Sequence, residues 1–272
     1  MPKKTASKEL DDKNLFDSIA REYAKKDMVP SSMIARRAQL LSAVQPVLGG
    51  KKSLGQVVDI GCGMGTAAKY LKGKYSSYIG IDQSKKEIEL AKSLFRGNPK
   101  VKFLAENIKN VKLRKKADVV LSLGALHHMT DLPKVFRALE NLAKPEATLL
   151  VIEPQRSNVL VGLLRKMRKT LDRSYSKDQI YFEEEKLTGI LEKAGFSKIV
   201  VDFQGFFGPY FAQVILPPQI ITQHLSALAT LVDRYLNRFP RNFKKTFSFN
   251  IIIRARFSKD KHFHAKKAEA GR

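Results

Sequence analysis

The chain has 272 residues, 43% of them hydrophobic, enough for one α/β domain with inserts and a substantial core. Its single cysteine, Cys62, excludes an internal disulfide and points to a reducing compartment. With 50 Lys and Arg against 26 Asp and Glu, the formal charge is +24, which favours polyanionic surfaces such as nucleic acid or anionic lipid.

Residues 1–13 are polar and lack the apolar centre of a signal peptide, so a disordered basic tail and a cytoplasmic location are expected. A helical cap is expected over 14–50. Phe16, Ile19, Ala20 and Tyr23 fall at helical spacing. Pro30-Ser31-Ser32 then punctuates, and either serine can cap a second helix through about Val44. That helix carries Met33, Ile34, Leu40 and Leu41 with the pair Arg36-Arg37, and Pro46 with Gly49-Gly50 ends it.

The main domain, 51–257, opens on Val57-Val58-Asp59-Ile60-Gly61-Cys62-Gly63-Met64-Gly65-Thr66. A β-branched apolar run, an acid and three alternating glycines read as a buried strand, a tight turn and a helix from Thr66 to Leu71. Glycine suits a turn whose backbone angles a Cβ forbids and where a ligand lies against bare main chain. A dinucleotide site has the spacing G-x-G-x-x-G. Here the spacing is G-x-G-x-G, and Asp59 stands two residues before the first glycine. That acid repels a pyrophosphate and attracts an ammonium or sulfonium.

A second strand, Tyr78–Ile81, ends in Asp82, whose carboxylate can accept from both hydroxyls of a ribose. Ser84 can cap a helix from Lys85 to Phe95. Strand three, Val101–Leu104, runs into Glu106-Asn107-Ile108, and strand four, Ala117–Ser122, into Leu123-Gly124-Ala125-Leu126-His127-His128. His127 and His128 are the catalytic-base candidates, the alternative being that they pack or hydrogen-bond against the next helix. A helix from Leu132 to Leu142 closes at Lys144-Pro145. Strand five is Thr148–Ile152, followed by Glu153-Pro154. A helix and strand follow over Glu183–Phe203, and a last strand over Phe247–Phe257.

From about Leu54 to Phe203 these motifs resemble the class I S-adenosylmethionine-dependent methyltransferases, in the branch that includes the type 11 and quinone-biosynthesis C-methyltransferases. The resemblance implies a doubly wound, Rossmann-like, seven-stranded, mostly parallel α/β sheet with a last antiparallel strand. It implies S-adenosylmethionine as cofactor. Asp59, Gly61, Cys62, Gly63 and Gly65 would hold its amino acid end, and Asp82 with Gln83 its ribose. Asn107 would take the adenine, where the family usually has aspartate and where Glu106 is the fallback; Ile108 adjoins it. The methyl would face Leu123 to His128. A glycine pair is usual where Glu146-Ala147 stands. Enzymes that methylate base amines carry Asn or Asp with Pro-Pro and an aromatic after strand four, which this chain lacks. Attack on a pyrimidine carbon needs a cysteine nucleophile, and none exists outside the glycine turn. No metal site is expected.

Two inserts carry the specificity. Residues 155–182 hold Val159, Leu160, Leu163, Leu164, Met167 and Leu171 at helical spacing with Arg165, Lys166, Arg168 and Lys169 between them, a basic amphipathic helix that packs on the domain or lies on a membrane. In the second insert, 205–246, residues 205–232 contain no Asp, Glu, Lys or Arg. Pro217-Pro218 splits that run into pieces too short to span a bilayer, leaving a hydrophobic lid or an interfacial loop flanked by Arg234, Arg238, Arg241, Lys244 and Lys245. A basic tail follows over 258–272. The expected substrate is a hydrophobic small molecule, quinone-, phenol- or lipid-like, with peripheral contact to the inner membrane surface. RNA is the second expectation, and a non-catalytic binding module the third.

Overall fold

A computed structural model describes residues 14, 17–22, 24–155, 182–213 and 215–258. Expectations for the two tails, for Phe16 and Tyr23, and for the helix over Val159–Leu171 lie outside the described residues.

The centre is a seven-stranded sheet in the order β3-β2-β1-β4-β5-β7-β6. Its strands are β1 (Gln56–Ile60), β2 (Ser77–Asp82), β3 (Val101–Ala105), β4 (Ala117–Leu123), β5 (Ala143–Pro154), β6 (Ser197–Gln204) and β7 (Asn250–Arg256). The first five pair in parallel, while β7 inserts antiparallel between β5 and β6. All five residues of β1 are buried, as the continuous Val-Val-Asp-Ile run requires of a central parallel strand. Alternate side chains feed two cores. Val58, Ile60, Val120, Leu149 and Ile253 meet Phe136 and Leu191 on one face. Val57, Val119, Leu121 and Ile252 meet Leu40, Val44, Leu71 and Ile88 on the other. Chain order reverses between β1 and β4, and the carboxyl ends of these strands form the crevice where such sheets bind ligands.

The helices are α1 (Pro30–Leu48), α2 (Thr66–Tyr70), α3 (Lys85–Leu94), α4 (Leu132–Ala138), α5 (Glu184–Lys193), α6 (Gly208–Phe211), α7 (Gln219–Leu236) and α8 (Arg241–Phe247). Residues 17–22 and 24–28 are helical ahead of α1.

Three local expectations change. Neither Ser31 nor Ser32 caps α1, because Pro30 occupies its first turn and Val29 is the cap. The serines face inward instead, Ser31 Oγ donating to Gln219 Oε1 at 3.0 Å and Ser32 Oγ to the Phe211 carbonyl at 2.8 Å. Pro46 lies inside the helix, which ends at Gly49 in the left-handed region. Helix α4 stops at Ala138 and a 3-10 turn follows over Leu139–Asn141, so β5 begins at Ala143 and contains Lys144-Pro145. The missing proline N–H is tolerated there because the β4–β5 register shifts at that end. Glu146 adopts φ +62°, which explains the glycine usual at this position. Elsewhere, Ser84 caps α3 by accepting the Glu87 N–H, as its position before the helix predicts.

Candidate active site

The glycine turn bends the chain from β1 into α2. Gly61, at φ +67°, leaves no room for a side chain, since a Cβ there would lie 2.3 Å from the Ala125 Cβ after β4. Gly63, at φ +51°, differs: the nearest atom to its absent Cβ is Glu87 Oε2 at 3.6 Å. Gly61 therefore serves packing, and Gly63 presents bare main chain. Gly61→Ala is expected to cost about 2–5 kcal/mol, from the left-handed backbone plus the clash, as measured by denaturant melts.

Carboxyls surround this turn. Asp82 Oδ2 accepts the Gly63 N–H at 2.9 Å, and Oδ1 accepts the Ser84 N–H at 3.0 Å. Burial raises its pKa, partly offset by these donors. The Gln83 N–H is a third donor to this carboxylate, which still keeps a lone pair for a ligand hydroxyl. Asp59 is 2% exposed. The Tyr78 hydroxyl donates to Oδ2, while Oδ1 has no hydrogen-bond partner among the described residues. Burial pushes its pKa up to about 7, against the Tyr78 bond and with help from Asp82. Glu87 is pushed up to about 8 by burial and by the neighbouring Asp82, Asp27 and Asp17, against the Met64 N–H. Asp17, from the leading helical run, accepts the Ser84 hydroxyl at 2.6 Å.

Cys62 turns its thiol into the core, where a Cβ on Gly80 would lie 2.7 Å from Sγ. Burial, reinforced by Asp82 and Asp59, pushes this thiol far up, so it offers a ligand only main chain. Gln83 is half-buried beside Asp82. Asn107 Oδ1 accepts the Lys109 N–H at 3.0 Å, capping the turn Ile108–Asn110, and the Ile108 side chain is buried in the core. Glu106 is exposed and held below the usual range by the Asn107 N–H and the Asn110 side chain.

The end of β4 is organised by Glu153, a fully buried residue of β5. Its Oε1 accepts the Ala125 and Leu126 N–H groups at 2.9 and 2.7 Å. Its Oε2 lies 2.6 Å from His127 Nδ1. Against a carboxylate, Nδ1 carries the proton and Nε2 is left as the basic nitrogen. The neighbouring strand, not the following helix, thus fixes His127. The His128 ring lies against it, tilted by 45° with ring centroids 4.0 Å apart, and Leu123 is half-buried at the strand end.

Sequence reasoning missed Glu87 and Glu153. Ser84-x-x-Glu87 has capping-box spacing, which assigns the acid to its own helix end, yet Glu87 serves the glycine turn. A cleft of about 470 Å³ borders Met33, Met64, Gly65, Tyr70 and Phe95 but touches none of Asp59, Asp82 or Glu87. It shares Met64 and Gly65 with the glycine turn and Asp27 with the surroundings of Glu87.

A family model described as a methyltransferase domain matches residues 51–195. Ubiquinone biosynthesis O-methyltransferase of Pelagibacter ubique is 30% identical over 137 residues, 50% of this chain and 52% of that protein. The chloroplastic tocopherol O-methyltransferase of Arabidopsis thaliana is 27% identical over 117 residues, 41% of this chain and 34% of that protein. The chain thus spans about half or less of the length of these relatives. A solved SAM-dependent methyltransferase of Thermotoga maritima shares the fold with a TM-score of 0.60 at 19% identity, covering 89% of this chain and 98% of that one.

Proposed function

The chain belongs to the methyltransferase-domain family, and on that premise we propose that it is an S-adenosylmethionine-dependent methyltransferase acting on a hydrophobic small molecule, quinone-, phenol- or lipid-like. One observation carries this reading. In a chain of net charge +24, the bare main chain at Gly63 is ringed by Asp59, Asp82 and Glu87, all desolvated. A cation placed there would draw these carboxyls back into their charged forms, which an anion or a neutral ligand would not.

The residues present fit a sulfonium nucleoside. Gly63 has no clash where a Cβ would stand, only the Glu87 carboxyl at 3.6 Å, and Asp59 Oδ1 is a buried acceptor without a partner among the described residues. Asp59 and the main chain of Gly61 to Gly65 would hold the amino acid end, Asp82 beside Gln83 the ribose, and Asn107 with the Ile108 main chain the adenine. When bound, the cofactor supplies an electrophilic methyl. The carboxyls favour a positively charged ligand over a neutral one. His127 Nε2 would accept the proton of a phenol, enol or hydroxyl, and Glu153 would stabilise the imidazolium formed. His128 is the second candidate base, and Leu123 would border the reacting groups.

The apolar acceptor is supported by the uncharged stretch 205–232 and by the ubiquinone and tocopherol named in the two relatives. The +24 charge keeps RNA as the second reading. Tritiated-methyl cofactor, offered with lipid and RNA extracts, is expected to label a lipid-phase product. Label confined to RNA reverses the acceptor assignment, and intact cofactor binding with no labelled product leaves a binding module. Asp82→Ala is expected to weaken cofactor binding by about 1–3 kcal/mol in calorimetry; unchanged affinity removes Asp82 from the site.

A further inference from the structure

Helix α7 is built inside out. Its buried positions are Thr222, Ser226, Ala229 and Asp233, a stripe of small and polar residues. Hydrogen bonds fix that orientation. Ser226 Oγ donates to the Ser31 carbonyl at 2.7 Å, and the Asp233 carboxylate accepts the N–H groups of Phe206, Phe207 and Gly208 at 3.0, 2.8 and 3.0 Å. The large apolar residues therefore face outward. Ile220, Ile221, Leu225, Leu228, Leu231 and Tyr235 are between 48% and 70% exposed. From Ile221 to Tyr235 they make an apolar ridge about 21 Å long, with exposed His224 beside it between Ile221 and Leu228. Such a ridge exceeds the scattered apolar exposure normal for a monomer.

Charge decides what covers it. A second copy would bring +24 against +24, whereas an anionic surface is attracted. The cations at the carboxyl end of the ridge are Arg234 and Arg238, both exposed and, among the described residues, in no ion pair. Tyr235 sits between them, an amphipathic ring suited to a headgroup boundary. Arg241, Lys244 and Lys245, expected from sequence to join this rim, pair instead with Glu184, Asp202 and Glu184 together with Glu185. Among the described residues no helix is long and apolar enough to cross a membrane. We propose that the outer face of α7 seats on the surface of an anionic bilayer, its leucines in the acyl boundary and Arg234 and Arg238 at the headgroups. This goes beyond the proposed chemistry and holds whichever acceptor is methylated.

The chain contains no tryptophan, so Leu228→Trp gives a single reporter on the ridge. With vesicles of equimolar phosphatidylglycerol and phosphatidylcholine, its emission is expected to shift to the blue and be quenched by brominated acyl chains. Leu225→Gln/Leu228→Gln/Leu231→Gln is expected to weaken vesicle co-sedimentation at least about tenfold while leaving cofactor affinity unchanged. Arg234→Gln/Arg238→Gln is expected to reduce binding several-fold and to flatten its salt dependence. An emission spectrum that ignores vesicles overturns the proposal. So does undiminished sedimentation of the triple variant, or light scattering that shows a wild-type dimer made monomeric by that variant.

Discussion

Glu153→Ala is expected to destabilise the protein by about 3–5 kcal/mol and to abolish methyl transfer. The carboxylate is fully buried and accepts from two main-chain N–H groups and from His127 Nδ1. Removing it leaves three desolvated donors without partners, and each such loss carries its full desolvation penalty. The turn that carries His127 loses its side-chain anchor to β5 at the same time. Glu153→Gln separates the two consequences. An amide oxygen still serves Ala125 and Leu126, but the amide NH₂ then faces His127 and forces its proton onto Nε2. Melts should stay near wild type while turnover falls by roughly 10²–10⁴, with the pH–rate profile altered. Wild-type turnover in the Gln variant would take His127 out of the proton path.

The ligand-free protein should lose several kcal/mol of stability as pH rises from about 4 to 8. Asp59 rises from 3.8 to about 7 and Glu87 from 4.5 to about 8 on folding. In that window the native state binds more protons than the unfolded chain, so the stability contribution is complete below about pH 4 and is lost as pH climbs through these folded values. Asp59 alone accounts for on the order of 4 kcal/mol at the upper end. A cationic cofactor reverses the effect by returning the carboxyls to their charged forms. Calorimetric titrations near pH 7, in buffers of different ionisation enthalpy, should therefore show proton release on binding. Asp59→Asn should flatten the stability slope. A flat wild-type curve would mean that these acids are ionised throughout.

Local rules made the frame legible. The Val57–Gly65 run, the Asp82 strand end and the Ser84 cap depend on neighbours within a few residues, and each lies where its pattern puts it. Contacts across the sheet left no local trace. Glu153 reads as a strand-end acid until β4 and β5 align and bring it to His127. Glu87 reads as a helix-start acid. The serines after Pro30 read as caps because Gln219 and Phe211, their partners, lie nearly two hundred residues away. The cations after α7 look like a free basic rim until Glu184 and Asp202 are found beside them. Apolar period alone would turn α7 about, since it counts oily residues and ignores which stripe has hydrogen-bond partners.

Helix α1 is held in two different ways along its length. Its amino-terminal half is stitched by Ser31 to Gln219 of α7 and by Ser32 and Arg36 to the carbonyls of Phe211 and Ala212 at the end of α6, whereas Leu40 and Val44 sink into oil farther along. Water can substitute for every stitch but for none of the oily contacts. The molecule should therefore come apart from that edge first, with its amides trading deuterium as one cooperative unit while the sheet stays shut.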